Sequence, residues 1–211
     1  MGGKLPSPFP SLRVAIAAAV LAVIWFEMLT VGTGDLDDDI LRAVYAGGEP
    51  GLIALARAFT FLGNSLVGIA ISIGGIVLLW ALGRKRAAIA GMLVIAVGRL
   101  LVEAQKYSIA RFRPSDEAHL VPVSTPSFPS GHASNSMIVA LTFAILFFGD
   151  TRWRYPAVAV AIALSLCIGF SRLMLGVHWP SDVIGGWSFG LLWVTLALPW
   201  AQRLEDPPPR R

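Results

Sequence analysis

The chain alternates long apolar runs with short polar stretches, and most of its charged residues fall at the borders between them. Runs at about 14–31, 64–82, 87–107, 133–149, 155–175 and 183–201 each approach the ~20 apolar residues with which an α-helix crosses a hydrocarbon core of about 30 Å. They predict an all-α fold, a six-transmembrane-helix bundle with mostly short connections. Between the first two runs, Pro50 to Leu62 places Leu52, Ile53, Leu55, Ala56 and Phe59 on a stripe with Arg57 and Thr60 off it. That pattern predicts a short interfacial helix lying at the membrane surface. Gly34 to Asp39 supplies four aspartates and is expected as a solvated loop. The first run is too long for a typical signal-peptide core and lacks a convincing cleavage site, so it is expected as a retained helix. With no fixed-period repeat and no linker composition, residues 1–211 are expected to form one domain.

Composition agrees with the pattern. The 211 residues are 55% hydrophobic and 14% charged, against about 25% charged in soluble domains, which points to an integral membrane protein. The net charge of +4 does not indicate nucleic acid, because the cations are spread between apolar runs and form no single patch. One cysteine, Cys167, lies within an apolar run; it excludes an intrachain disulfide and is expected to be buried.

If the six runs alternate across the bilayer, Lys4, Arg13, Arg84, Lys85, Arg86, Arg152, Arg154, Arg203, Arg210 and Arg211 share one side. The excess of cations there makes that side, with both termini, cytoplasmic. Lys106, Arg111, Arg113 and Arg172 fall near the opposite face, against the bias, and need a local reason. Arg99, Glu103 and Lys106 lie along one helical face, where Arg99 and Glu103 can form a structural pair. A charge at the bilayer centre costs about 2.5–3.5 kcal/mol on insertion scales, so all three are expected toward one end and facing protein.

Phosphate is a reason that fits. Lys106 and Arg113 are two helical turns apart and share a face if the helix reaches that far before Pro114. Pro129-Ser130-Gly131-His132 precedes the fourth run, and a helix start offers free N–H groups and a positive dipole end, although such a stretch taken alone reads as a plain cap. Ser171-Arg172, His178 and Asp182 end the fifth run and open the sixth, with Pro180 placed for a first helical turn. His132 and His178, each taken singly, also read as interfacial residues. Arg111 is expected to add positive field, and His119 to be a loop residue. Three helix ends thus bring Lys106, Arg113, Ser130, Gly131, His132, Arg172, His178 and Asp182 to one membrane face.

In order and spacing, these three groups resemble the tripartite signature of the type 2 phosphatidic acid phosphatase superfamily, over essentially the whole chain. The apolar runs resemble its integral-membrane branch and not the soluble vanadium-dependent haloperoxidases. The resemblance implies that His178 attacks phosphorus to form a phosphohistidine, that Asp182 orients its ring, and that His132 protonates the leaving oxygen. Lys106, Arg113 and Arg172, with Ser130, Gly131 and the N–H groups there, would hold the phosphate oxygens. It implies no metal and no other cofactor. Its substrate would be a membrane lipid phosphate or diphosphate, undecaprenyl diphosphate ahead of phosphatidylglycerol phosphate and phosphatidic acid. The setting would be the bacterial cytoplasmic membrane, with the site facing outward. A lipid phosphotransferase using the same site is the alternative. An anionic-lipid transporter or flippase is the other, disfavoured because the charges gather at one face and do not cross the midplane.

Overall fold

The computed structural model describes residues 11–203, which form eight helices and no strand. They are α1 (Leu12–Val31), α2 (Asp35–Val44), α3 (Pro50–Leu62), α4 (Ser65–Ala81), α5 (Lys85–Ile109), α6 (Gly131–Phe148), α7 (Arg154–Met174) and α8 (Pro180–Arg203). Lys4 and the tail that carries Arg210 and Arg211 lie outside the described residues. Five helices, α1 and α5 to α8, are long and apolar enough to cross a membrane. The other two apolar helices, α3 and α4, meet at Gly63-Asn64 with a bend of 44° and reach spanning length only as a pair, as a broken span or a re-entrant loop. The membrane spans therefore number five, or six with the bent pair counted as one.

Three local expectations need correction. The aspartate-rich stretch is not a solvated loop but opens α2, where Asp35, Asp37 and Asp38 occupy the first turn and Asp37 and Leu41 are buried. Carboxylates favour that end of a helix because its N–H groups are unpaired and its dipole is positive. Cys167 is exposed, on the face of α7 that also turns Leu166 and Phe170 outward. And α5 stops at Ile109, where Ala110 turns into the left-handed region at φ 51° and its N–H closes on the Lys106 carbonyl at 2.9 Å. Arg113 therefore lies beyond the helix and reaches the site from a loop.

The bundle is built around α6, which is more than half buried, while α1 is mostly exposed and packs mainly on α8. Lipid tails are as apolar as leucine, so helices in a membrane associate through close packing and interhelical hydrogen bonds. Gly186 and Gly190, one turn apart on α8, provide the close approach to α6. A Cβ on Gly186 would lie 2.9 Å from the Ser130 carbonyl, and one on Gly190 would lie 2.8 Å from Met137 Cβ. Two indoles of α8 add hydrogen bonds, Trp187 Nε1 to the Ser165 carbonyl of α7 at 3.0 Å and Trp193 Nε1 to the Val94 carbonyl of α5 at 2.8 Å. This packing carries the first turn of α8 up to the start of α6, where the Ser130 N–H donates to the Asp182 carbonyl at 3.0 Å.

Candidate active site

His178 occupies the turn between α7 and α8 and is only 2% exposed. Its Nε2 lies 3.1 Å from Arg113 Nη1, and its Nδ1 lies 3.3 Å from Asp182 Oδ2. A guanidinium can only donate, so Nε2 carries the lone pair and Nδ1 the proton, which is directed at Asp182. Asp182, in the first turn of α8, is fully buried. Its Oδ2 also accepts from the Trp179 N–H at 2.9 Å and from the Ser127 hydroxyl, and its Oδ1 accepts from Arg111 Nη1 at 2.9 Å. Arg113 is fixed in turn by donation from Nε to the Thr125 carbonyl at 2.8 Å, within the loop that joins α5 to α6.

The remaining cations close around this ring. Lys106 is 3% exposed and donates to the Pro126 carbonyl at 2.7 Å. Its Cε lies 3.3 Å from where a Cβ on Gly131 would sit, so the lysine stem occupies the space a larger residue at Gly131 would need. Arg172, 5% exposed, donates from Nη1 to the Thr60 hydroxyl of α3, and its Nε has no partner. The His132 ring lies against the α3–α4 break, where a Cβ on Gly63 would come within 2.7 Å of its Cδ2. Ser130 holds the N-cap position of α6, yet its buried hydroxyl makes no capping bond and has no partner. The hydroxyl is therefore open to a ligand, while the Ser130 N–H, expected to be open too, is taken by Asp182.

All eight residues singled out from the sequence thus fall in one cluster. Burial first, then Arg113, Lys106, Arg172 and His132, hold the His178 ring well below an imidazole's usual range. Burial likewise lowers Arg113, with Asp182 opposing. The His178 value has a measurable sign. The unfolded chain binds a proton on this side chain near pH 6.5 and the folded chain does not, so stability is lost as pH falls through that value. In ¹⁵N-histidine NMR spectra, the resonances missing from His178→Gln are expected to report a neutral ring at pH 5.5. A midpoint near 6.5 for those resonances would contradict the assignment.

Other residues support the cluster from outside it. Arg111, expected to add positive field, is spent on structure: besides Asp182 it donates to Ser181 Oγ at 3.0 Å and to the Met28 and Leu29 carbonyls at 2.9 and 2.8 Å. Asp37 accepts from the Ser181 N–H at 2.9 Å and from its hydroxyl, so α2 caps the start of α8. The spacing of Asp37 and Leu41 was a helical signal, whereas Ser127 and Thr60 carried none that marks them as partners of Asp182 and Arg172. Among the described residues no three His, Cys, Asp or Glu side chains gather as a metal-ligand set.

Residues 87–206 match the PAP2 superfamily. Among relatives, the chain is 38% identical over 105 residues to phosphatidylglycerophosphatase B of Bacillus subtilis, covering 48% of this chain and 51% of that protein. It is 36% identical over 102 residues to an undecaprenyl-diphosphatase of Sulfolobus acidocaldarius, covering 46% of each. The chain thus spans about half the length of these two relatives. The crystal structure of a transmembrane PAP2-type phosphatidylglycerolphosphate phosphatase from Bacillus subtilis superposes with a TM-score of 0.81 at 26% identity, over 89% of this chain and 97% of that one. Because the matched segment holds more than half of the chain and every one of the eight clustered residues, this protein belongs to the PAP2 superfamily.

Proposed function

We propose that the protein hydrolyses a lipid phosphate or diphosphate, undecaprenyl diphosphate first among them, through a phosphohistidine on His178 and without a metal ion. The observation that carries this reading is the His178 ring itself, with Nδ1 directed to Asp182 and Nε2 aimed at a cluster of cations. Arg113 donates to the Nε2 lone pair. When phosphate binds, the guanidinium exchanges that bond for a phosphate oxygen and frees the nucleophile. Nε2 then forms the bond to phosphorus as the P–O bond to the lipid breaks, and His132 gives its proton to the leaving oxygen. Water attacks the phosphohistidine next and gives a proton back to His132; the P–N bond breaks and inorganic phosphate leaves. Lys106, Arg113 and Arg172 balance the charge on the non-bridging oxygens throughout, with the Ser130 hydroxyl as a further donor.

The names of the two relatives support a polyprenyl diphosphate or phosphatidylglycerol phosphate as substrate. Position supports a lipid, because helix ends at the boundary of the bilayer meet a headgroup while its tails stay in hydrocarbon. The distribution of cations supports cytoplasmic termini and a site on the outer face of the cytoplasmic membrane. The test is a panel of lipid phosphates offered to the purified protein in detergent with excess chelator. Inorganic phosphate should be released, fastest from undecaprenyl diphosphate. Complete loss with chelator would refute the metal-free scheme, transfer of the phosphoryl group to a second lipid would identify a phosphotransferase, and lipid translocation without phosphate release would identify a transporter.

A further inference from the structure

One membrane-embedded cation is left without a partner or a role. Arg99 lies on α5 seven residues before Lys106, on the same face and roughly 10 Å deeper along the helix. It is half-buried, Glu103 one turn away is exposed, and no ion pair joins the two. Arg99 Nη1 points to the first turn of α4, 3.6 Å from where a Cβ on Gly68 would sit. There it lines a cavity of about 260 Å³ with Gly63, Asn64, Asn135 and Ser136 and with apolar side chains such as Val139 and Phe143. Asn135, one turn beyond His132, is 8% exposed, and its Oδ1 has no hydrogen-bond partner. The cavity therefore combines a cation that has no close ion pair among the described residues, with only the exposed Glu103 near it in charge, and an unsatisfied buried amide.

Its place relative to the two histidines decides what it can hold. Gly63 belongs to the cavity wall and also meets the His132 ring. The cavity thus adjoins His132, the residue that protonates the leaving oxygen in that scheme, and His178 is not among the residues that line it. We propose that it binds the phosphate that stays on the lipid when a lipid diphosphate is cleaved, with Arg99 as its counter-cation and Asn135 as an amide donor. The inference rests on the lipid-diphosphatase reading above. A diacylglycerol phosphate releases a neutral alcohol with ester carbonyls, which brings Arg99 no counter-anion; a polyprenyl diphosphate releases an anion, which does. Asn135 needs only a half-turn of its amide to present an N–H to that anion.

The experiment compares kcat/KM on undecaprenyl diphosphate with kcat/KM on a dioleoyl phosphatidic acid. For Arg99→Gln the ratio of the two should fall at least about tenfold, and for Arg99→Lys it should stay within about threefold of wild type, because the charge is kept. A measurement on the unaltered protein does not depend on either variant folding: a polyprenyl methylenediphosphonate should inhibit at least about tenfold more strongly than the monophosphonate of the same chain. Equal inhibition by the two, or an unchanged ratio in Arg99→Gln, overturns the inference while phosphate release from the diphosphate continues. No release from any lipid diphosphate by the wild-type protein overturns the underlying reading, and the inference with it.

Discussion

His178→Ala is expected to lower phosphate release from a lipid diphosphate by at least about a thousandfold, since loss of a nucleophile removes the covalent route altogether and leaves only binding and charge stabilisation. The background is not expected to be zero, because Lys106, Arg113, Arg172 and His132 would still form the proposed anion site. The variant also leaves Asp182 without one of its donors, but Ser127, Trp179 and Arg111 remain on that carboxylate. A lost hydrogen bond of this kind costs about 1–3 kcal/mol, so the fold should survive and lipid binding should persist. Two readings separate chemistry from damage. Wild-type protein quenched during turnover of a terminally ³²P-labelled lipid diphosphate should carry acid-labile, alkali-stable label, and His178→Ala should carry none. Activity above a tenth of wild type in a well-folded His178→Ala would remove His178 from the nucleophile's role.

The cluster was legible in the sequence because of a conflict between two physical rules. Lys106, Arg113 and Arg172 sit where the charge bias and the cost of burying cations both oppose them, so the reason for their position had to be a ligand or a partner. Five apolar helices were legible for the opposite reason, since long apolar runs have one solution in a bilayer; the run at 64–82 reaches spanning length only together with α3, across a bend at Gly63-Asn64. What escaped was supplied by residues distant in the chain. Arg111 and Arg113 lie two residues apart, yet one is spent on Asp182 and α1 and the other faces His178. The seven-residue spacing from Lys106 and the Pro114 that follows single out Arg113, but nothing local to Arg111 reveals its partners, which lie far along the chain in α1 and α8. Four aspartates in a row of six residues read as solvent-exposed by composition, but one of them, Asp37, faces a serine 144 residues further on.

Arg111→Met should therefore produce the largest loss of stability of any substitution near the site, about 3 kcal/mol, the lower end of what removal of one partner from a buried ion pair costs. Its guanidinium is the one group that joins three elements: the carboxylate of Asp182 in α8, the last-turn carbonyls Met28 and Leu29 of α1, and the ring of Phe128, over which it lies at 4.3 Å. Those carbonyls have no intrahelical donors left, since α1 ends at Val31, and a cation at a helix C-terminus is favoured by the dipole as well. Methionine keeps much of the stem's volume and none of these bonds. The Asp182 carboxylate would lose its salt bridge to this guanidinium and turn more freely, so the His178 ring would be held less firmly. Arg111 spends its guanidinium on Asp182, Ser181 and the α1 carbonyls and acts through Asp182, which makes it a positioning residue. Its loss should accordingly lower kcat by about tenfold to a hundredfold with KM little changed, whereas a phosphate-binding cation would move KM as well. Thermal unfolding in detergent and steady-state kinetics measure the two effects separately. In a double-mutant cycle with Asp182→Asn the two losses should be strongly non-additive, the second change costing little once the first is made. Additive losses, or a rise in KM that exceeds the fall in kcat, would place Arg111 on the substrate and not on the carboxylate.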